Sequence, residues 1–526
     1  MKKTNVFSTL KSDFPASIVV FFVALPLCLG IALASGAPLF SGLIAGIIGG
    51  IVVGALSGSP LGVSGPAAGL AVIVLGAIAT LGSFQDFLLA VVLAGIIQII
   101  LGVMKAGVIG YFFPSSVIKG MLTGIGIIII IKQVPHLFGY DTEGVLSTGQ
   151  EGSTDLLHIT NYVTPGAIIV SVVSLAILIF WDVYLSKKSK IFKLIQGPLV
   201  AVAFGIVYHF ITSGSDSNLA LKSSQLVSVP VPDSAASFFG QFSLPNFGAI
   251  ANPDIWLIAF TIAIVASLET LLCVEATDKL DPKKRVTPAN RELFAQGAGN
   301  IISGLVGGLP ITQVIVRSSA NIQSGGKSKM VTILHGFLLL IAVIVIPKTL
   351  NMIPLSVLAA ILIIVGYKLA KPSLFVQMYK LGKKQFLPFT ITVAGIVFAD
   401  LLTGIFLGLT VGVIVILIKS YQNSHFLHIE DKSNGKHKIK MTFAEEVTFF
   451  NKGAILKELD SLPRDTYLEL DVRKTRYLDN DIIEILEDFA FKAKERHIDI
   501  QLISERGIVE NPDSFIEFFK LRPKTA

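Results

Sequence analysis

Charge is what this 526-residue chain has little of: 15% of its residues are Asp, Glu, Lys or Arg, against 52% hydrophobic. A soluble globular protein carries roughly 25% charge, so a purely cytosolic enzyme is excluded. Cysteine is scarcer still. The two cysteines, Cys28 and Cys273, each sit inside an apolar run, which excludes a disulfide scaffold. The eight histidines form no cluster with metal-ligand spacing, and Ser324-Gly-Gly-Lys327 lacks the spacing of a phosphate-binding loop. No nucleophile–base pair emerges either, so no enzyme is indicated and no cofactor is expected. A mean hydropathy of +0.73 makes the chain a polytopic membrane protein.

The few charges are unevenly spread. Residues 430–526 hold 20 acids and 17 Lys/Arg, a net of −3, which leaves 16 acids and 26 Lys/Arg, a net of +10, for the preceding 429 residues. This divides the chain into a short N-terminal segment (1–12), a membrane domain (13–425) and a soluble tail (430–526). Basic loops at a lipid surface account for the positive balance, and nothing resembles a nucleic-acid recognition motif. A bilayer core needs about 20 apolar residues per helix. Twelve runs qualify, near 16–34, 41–57, 85–104, 114–131, 165–182, 195–212, 254–277, 291–307, 329–346, 353–370, 386–400 and 402–420. Two more, 67–80 and 311–323, are too short or too polar to cross alone. Counting both gives fourteen crossings with both termini cytoplasmic. The lysine-rich loops 183–194, 278–290, 324–329 and 368–385 then all lie inside, and the loops 133–164 and 213–250 outside carry only Lys222.

The two odd segments hold the functional argument. Gly58-Ser-Pro-Leu-Gly-Val-Ser-Gly-Pro-Ala-Ala-Gly69 leads into one, and Gly307-Gly-Leu-Pro-Ile-Thr-Gln-Val-Ile-Val-Arg-Ser-Ser319 forms the other. They are the third and tenth crossings, each third in a set of seven. Short Gly/Pro-interrupted segments at matching places in two halves point to an inverted repeat with a central site. Each reads as extended backbone entering a half-helix, whose free N–H groups and positive dipole end suit an anion. Ordinary kinked helices are the plainer alternative. Glu269 and Arg317 lie within apolar surroundings, where a charge costs roughly 3 kcal/mol or more. Arg317 adds permanent positive potential, and Glu269 suits coupling to H⁺ or Na⁺. A structural Glu269–Arg317 ion pair is the alternative for that couple.

Ser267-Leu-Glu-Thr-Leu-Leu, Asp278, Asn290-Arg-Glu-Leu-Phe-Ala-Gln-Gly, Gly307-Gly-Leu-Pro and Arg317-Ser resemble the sulfate permease (SulP) family, as does Pro26 followed by Gly36-Ala-Pro and Gly42-Leu43. The resemblance implies a 7+7 inverted repeat of core and gate domains, elevator-like movement, a homodimer, and a cytoplasmic STAS domain at the tail. It places the anion among Ser64, Gly65, Ala67, Ala68, Gly69, Ile311, Thr312, Gln313 and Arg317, with Glu269 and Cys273 at the coupling ion. Cys273 stands where some sodium-coupled members carry a hydroxyl. Many members have Pro-Gln and a nearby ring on the first helix; here Pro26-Leu27 and Ile31 lack both, while Phe21 and Phe22 are expected to face lipid. Recognition is then left to backbone amides, which favours a small inorganic anion, bicarbonate slightly ahead of sulfate.

In the tail, Ser461–Val472 reads as a turn and a strand, Asn480–Ala493 as a helix and Ile498–Ser504 as a strand, a small α/β domain of STAS type. Leu478-Asp-Asn-Asp481 predicts an ordinary Asp/Asn helix cap rather than a phosphoswitch or nucleotide site. The expected function is secondary transport of a small inorganic anion across the inner or plasma membrane, with a regulatory protein as a possible partner of the tail. A nucleobase–cation symporter and a membrane-anchored anion sensor are the alternatives.

Overall fold

In hydrocarbon every backbone N–H and C=O has to be satisfied within its own segment, so the long apolar stretches become helices. The computed structural model describes residues 9–108, 114–139, 164–188, 192, 196–213, 219–231, 240–399, 401–433, 436–505, 507–512 and 514–520. The first seven membrane segments are α1 (Leu10–Ala34), α2 (Leu39–Leu56), α3 (Ala68–Leu81), α4 (Phe84–Val103), α5 (Ser115–Leu137), α6 (Pro165–Leu185) and α7 (Gly197–Thr212). The second seven are α8 (Pro253–Leu280), α9 (Ala289–Leu305), α10 (Ile315–Gln323), α11 (Met330–Val345), α12 (Leu355–Leu369), α13 (Lys383–Phe398) and α14 (Leu401–Gln422). Short strands precede the two half-helices, β1 (Ser64–Pro66) before α3 and β2 (Ile311–Gln313) before α10. An amphipathic helix over Pro372–Lys380, which the hydropathy pattern did not announce, joins α12 to α13.

The packing is that of a 7+7 inverted repeat. α4 lies against α8 and α9, and α11 lies against α1 and α2; α5 packs on α13, and α12 on α6. Each contact maps onto the other when a segment is exchanged for the one seven places away, and α5 on α12 maps onto itself. Two bundles result: α1–α4 with α8–α11 form the core, and α5–α7 with α12–α14 form the gate. They meet where Gly30 of α1 lies against Leu362 of α12. Asp13, fully buried at the start of α1, takes the Lys327 N–H at 2.7 Å and the Ser328 hydroxyl at 2.6 Å, tying α1 to the α10–α11 turn. Phe22 is exposed, as a lipid-facing ring should be. Phe21 instead packs against the core, because α1 is buried on most of its surface.

The chain divides into two compact units, Met1–Leu409 and Thr410–Ala526, the boundary falling inside α14. In the second unit, strands β3 (His425–Ser433), β4 (Lys436–Phe443), β5 (Thr466–Asp471), β6 (Asp499–Ser504) and β7 (Gly507–Glu510) form one sheet in that order. The outer pairs are antiparallel, and β4, β5 and β6 are parallel, with Leu468 beside both Ile439 and Ile500. Helices α15 (Lys452–Ser461), α16 (Asn480–Glu495) and α17 (Phe515–Lys520) accompany the sheet, α16 and α17 burying Ile482, Leu486, Phe489 and Phe515 against Leu468, Leu470 and Leu502. This is the expected α/β tail. Asp479 caps α16 by accepting the Asp481 N–H, as the Asp/Asn run predicts. Just beyond the end of β5, Arg473 grips the Asp471 carboxylate with Nε at 2.9 Å and Nη2 at 2.6 Å, and holds its pKa down to about 2.

Candidate functional site

Extended backbone is what the Gly/Pro-rich runs supply, and each run then turns into a helix. β1 and β2 cross antiparallel, pairing Ser64 with Gln313, Gly65 with Thr312 and Pro66 with Ile311. From the crossing the chain leaves in opposite senses as α3 and α10. Their N-cap residues, Ala67 and Val314, are extended and apolar, and neither side chain caps its helix. The leading N–H groups of both helices are therefore available to other acceptors.

α8 lies across both ends. The Glu269 carboxyl lies against Gly69 at the start of α3, and Cys273 stands four residues further along the same helix, which also packs on α10. Four residues of helix rise about 6 Å, so Glu269 and Cys273 share one face of a helix that packs on both half-helices. Glu269 is buried and its Oε2 has no hydrogen-bond partner. A Cβ at Gly69 would stand 2.6 Å from that Oε2, so any larger residue there has to displace the Glu269 carboxyl.

Arg317 comes from the first turn of α10 and is 1% exposed. Its Nη2 donates to Cys28 Sγ on α1 at 3.4 Å, while Nη1 has no hydrogen-bond partner. Nη1 lies against Gly65, at the centre of the crossing, where a Cβ would be 2.1 Å away. Among the described residues no carboxylate pairs with Arg317, so the Glu269–Arg317 ion pair is not formed: Glu269 lies against Gly69 of α3, and Arg317 reaches towards α1. His335 of α11 is fully buried nearby, with Nδ1 on the Thr332 carbonyl and Nε2 without a partner.

The sequence motifs thus come together at one place, with differences in facing. Ser64 turns its hydroxyl to α9, where Gln296 Nε2 donates to it at 2.7 Å. Gln313 sends Nε2 to Thr277 Oγ1 at 3.1 Å. Sequence reasoning assigned nothing to a buried stripe on α9, Glu292, Gln296, Asn300 and Ser303, whose helical spacing is visible in the sequence. Glu292 accepts the Ser57 hydroxyl at 2.5 Å and Gln296 Nε2 at 2.9 Å, and so fastens the loop before β1. Ser303 donates to the Leu309 carbonyl at 2.7 Å, at the approach to β2.

Two half-helices opposed within an inverted repeat define a membrane transporter. The sequence model of the Sulfate permease family matches residues 10–392, and the chain belongs to that family. It is accordingly an integral membrane anion transporter and not an enzyme. The chain is 24% identical over 516 residues to the "Putative sulfate transporter YvdB" of Bacillus subtilis, covering 96% of this chain and 93% of that one. It is 26% identical over 453 residues to the "Bicarbonate transporter BicA" of a Picosynechococcus species, covering 84% and 76%. The structure of the murine Slc26a9 anion transporter, inward-facing, superposes with a TM-score of 0.74 at 16% identity, covering 95% and 86%, and has the same fold.

Proposed function

We propose that the chain carries a small inorganic anion, bicarbonate ahead of sulfate, by coupled secondary transport, with the core bundle moving against the gate bundle as an elevator. What carries this reading is the pair of uncapped helix N-termini beside the unpartnered Nη1 of a buried Arg317. An anion in the gap is met by backbone N–H groups, two positive dipole ends and one fixed guanidinium. Leu27 and Ile31 of α1 stand where many family members carry a glutamine and a ring, which suits a compact oxyanion; relatives named for bicarbonate and for sulfate bracket that class.

Glu269 is the coupling group in this scheme. As a carboxylate it stands against the start of α3 and competes for its positive end, and a proton or Na⁺ on it neutralises that competition and leaves the end to substrate. H⁺ stands ahead of Na⁺, because Cys273, one turn along the same helix, offers a soft sulfur where Na⁺ favours oxygen. The protein works in the inner or plasma membrane as a homodimer, with both termini cytoplasmic and the tail open to a regulatory partner. The test is uptake of labelled bicarbonate and of labelled sulfate into liposomes holding the purified protein, each with an imposed H⁺ or Na⁺ gradient. Uptake of one anion driven by one gradient fulfils the proposal. Binding of either anion without flux refutes it in favour of a sensor.

A further inference from the structure

β2 has a partner strand on one side only. Ile311 and Gln313 turn their N–H groups away from β1, and buried backbone groups need partners. Two helices supply them from side chains. Asn300 of α9, fully buried, accepts the Ile311 N–H on Oδ1 at 2.6 Å and donates from Nδ2 to the Ile311 carbonyl at 3.1 Å. These are the two bonds that a neighbouring strand would make. Thr270 of α8, also fully buried, accepts the Gln313 N–H on Oγ1 at 3.3 Å. Asn300 is oriented in turn by Gln98 of α4, whose Oε1 accepts Nδ2 at 2.7 Å and whose Nε2 donates to Ser267 of α8 at 3.3 Å.

We propose that Asn300 and Thr270 are the positioning residues of the anion site, acting together as a third strand that sets where the two helix N-termini stand. The proposal rests on the transport reading above. Ile311 pairs with Pro66, two residues before α3, and Gln313 stands two residues before α10. Pinning both ends of β2 therefore pins both amide ends. Thr270 is also next to Glu269, so one helix fixes the carboxylate and the strand that faces it. Neither residue touches the anion; each acts through β2.

The experiment compares Thr270→Val with Thr270→Ser in the full chain. Valine keeps the size and removes the hydroxyl; serine keeps the hydroxyl and removes a buried methyl. Uptake into liposomes reads KM and maximal rate for the anion, and hydrogen–deuterium exchange in detergent reads the amides of residues 311–317. Loss of one neutral hydrogen bond corresponds to roughly a three- to tenfold effect. Thr270→Val should raise KM by about fivefold with maximal rate within about twofold, and speed exchange over 311–317 by a similar factor. Thr270→Ser should restore both, although the missing methyl makes it melt lower than the valine variant. Were Thr270 only a packing residue, KM would follow melting temperature and serine would be the worse variant. That ranking, or a Thr270→Val chain with unchanged KM and exchange, overturns the proposal. A wild-type chain that takes up neither anion refutes the transport reading instead, and the exchange measurement then decides the positioning by itself.

Discussion

Gly69 is the position at which a single methyl group tests the coupling scheme. An alanine Cβ there would meet Glu269 Oε2 at 2.6 Å and Oε1 at 2.7 Å. Ordinary contact begins near 3.4 Å, so the carboxylate must withdraw by roughly 0.8 Å or the start of α3 must move by as much. Either shift moves the carboxylate away from the positive end of α3. A carboxylate beside a helix N-terminus is worth up to about 2 kcal/mol in buried geometry, and about 1.4 kcal/mol is a factor of ten. Gly69→Ala should therefore change the half-saturating concentration of the coupling ion by up to about thirtyfold in liposome uptake. Gly76→Ala on the same helix is the control, since a Cβ there meets nothing within 4 Å. It should transport normally and gain about 0.5–1 kcal/mol of helix stability. Gly69→Ala uptake with the wild-type dependence on the driving gradient would refute the link between the start of α3 and Glu269.

Glu269→Gln keeps the shape and cannot ionise, so anion flux should become independent of the imposed H⁺ or Na⁺ gradient, measured by exchange between equal anion concentrations. Arg317→Met removes the fixed charge at the crossing and should raise the anion KM by about tenfold or more, while a detergent-solubilised variant still elutes as the wild type does. Asp471→Asn tests the tail: the carboxylate is held from 3.8 down to about 2 by Arg473. Because the folded value is the lower one, the stabilisation is present above about pH 4 and is lost as pH falls through about 2. Because Arg473 is exposed, solvent screens the pair and the stabilisation is small. Amide exchange over 466–472 in the full chain should show that loss in the wild type and not in Asp471→Asn. Deleting residues 430–526 should lower expression or rate and leave the ratio of bicarbonate to sulfate uptake unchanged.

The fourteen segments and the two half-helices were legible because hydrophobic length and Gly/Pro interruption act locally: Gly58 to Gly69 cannot form a regular helix whatever surrounds it. The α/β tail was legible for the same reason, the period changing once the apolar helix ends. What was hidden is non-local. A three-residue strand has no period of its own, so the antiparallel pairing of β1 with β2 has no signature. The bond from Arg317 to Cys28 joins residues 289 apart, and no spacing rule reaches that far. Glu269 and Arg317 read equally well as an ion pair, because the sequence places both charges at midplane without saying which way each side chain turns. The stripe Glu292, Gln296, Asn300 and Ser303 was in plain view, yet a polar helix face within a membrane has two meanings, a water-filled path or a polar scaffold for irregular backbone. Here the Gly/Pro runs decide between them. Two extended segments buried at midplane expose N–H and C=O groups that no helix satisfies and that lipid cannot. A helix packed beside them has to carry donors and acceptors at one-turn intervals. A polar stripe of that kind, seen next to paired Gly/Pro interruptions, is evidence for the site that it supports.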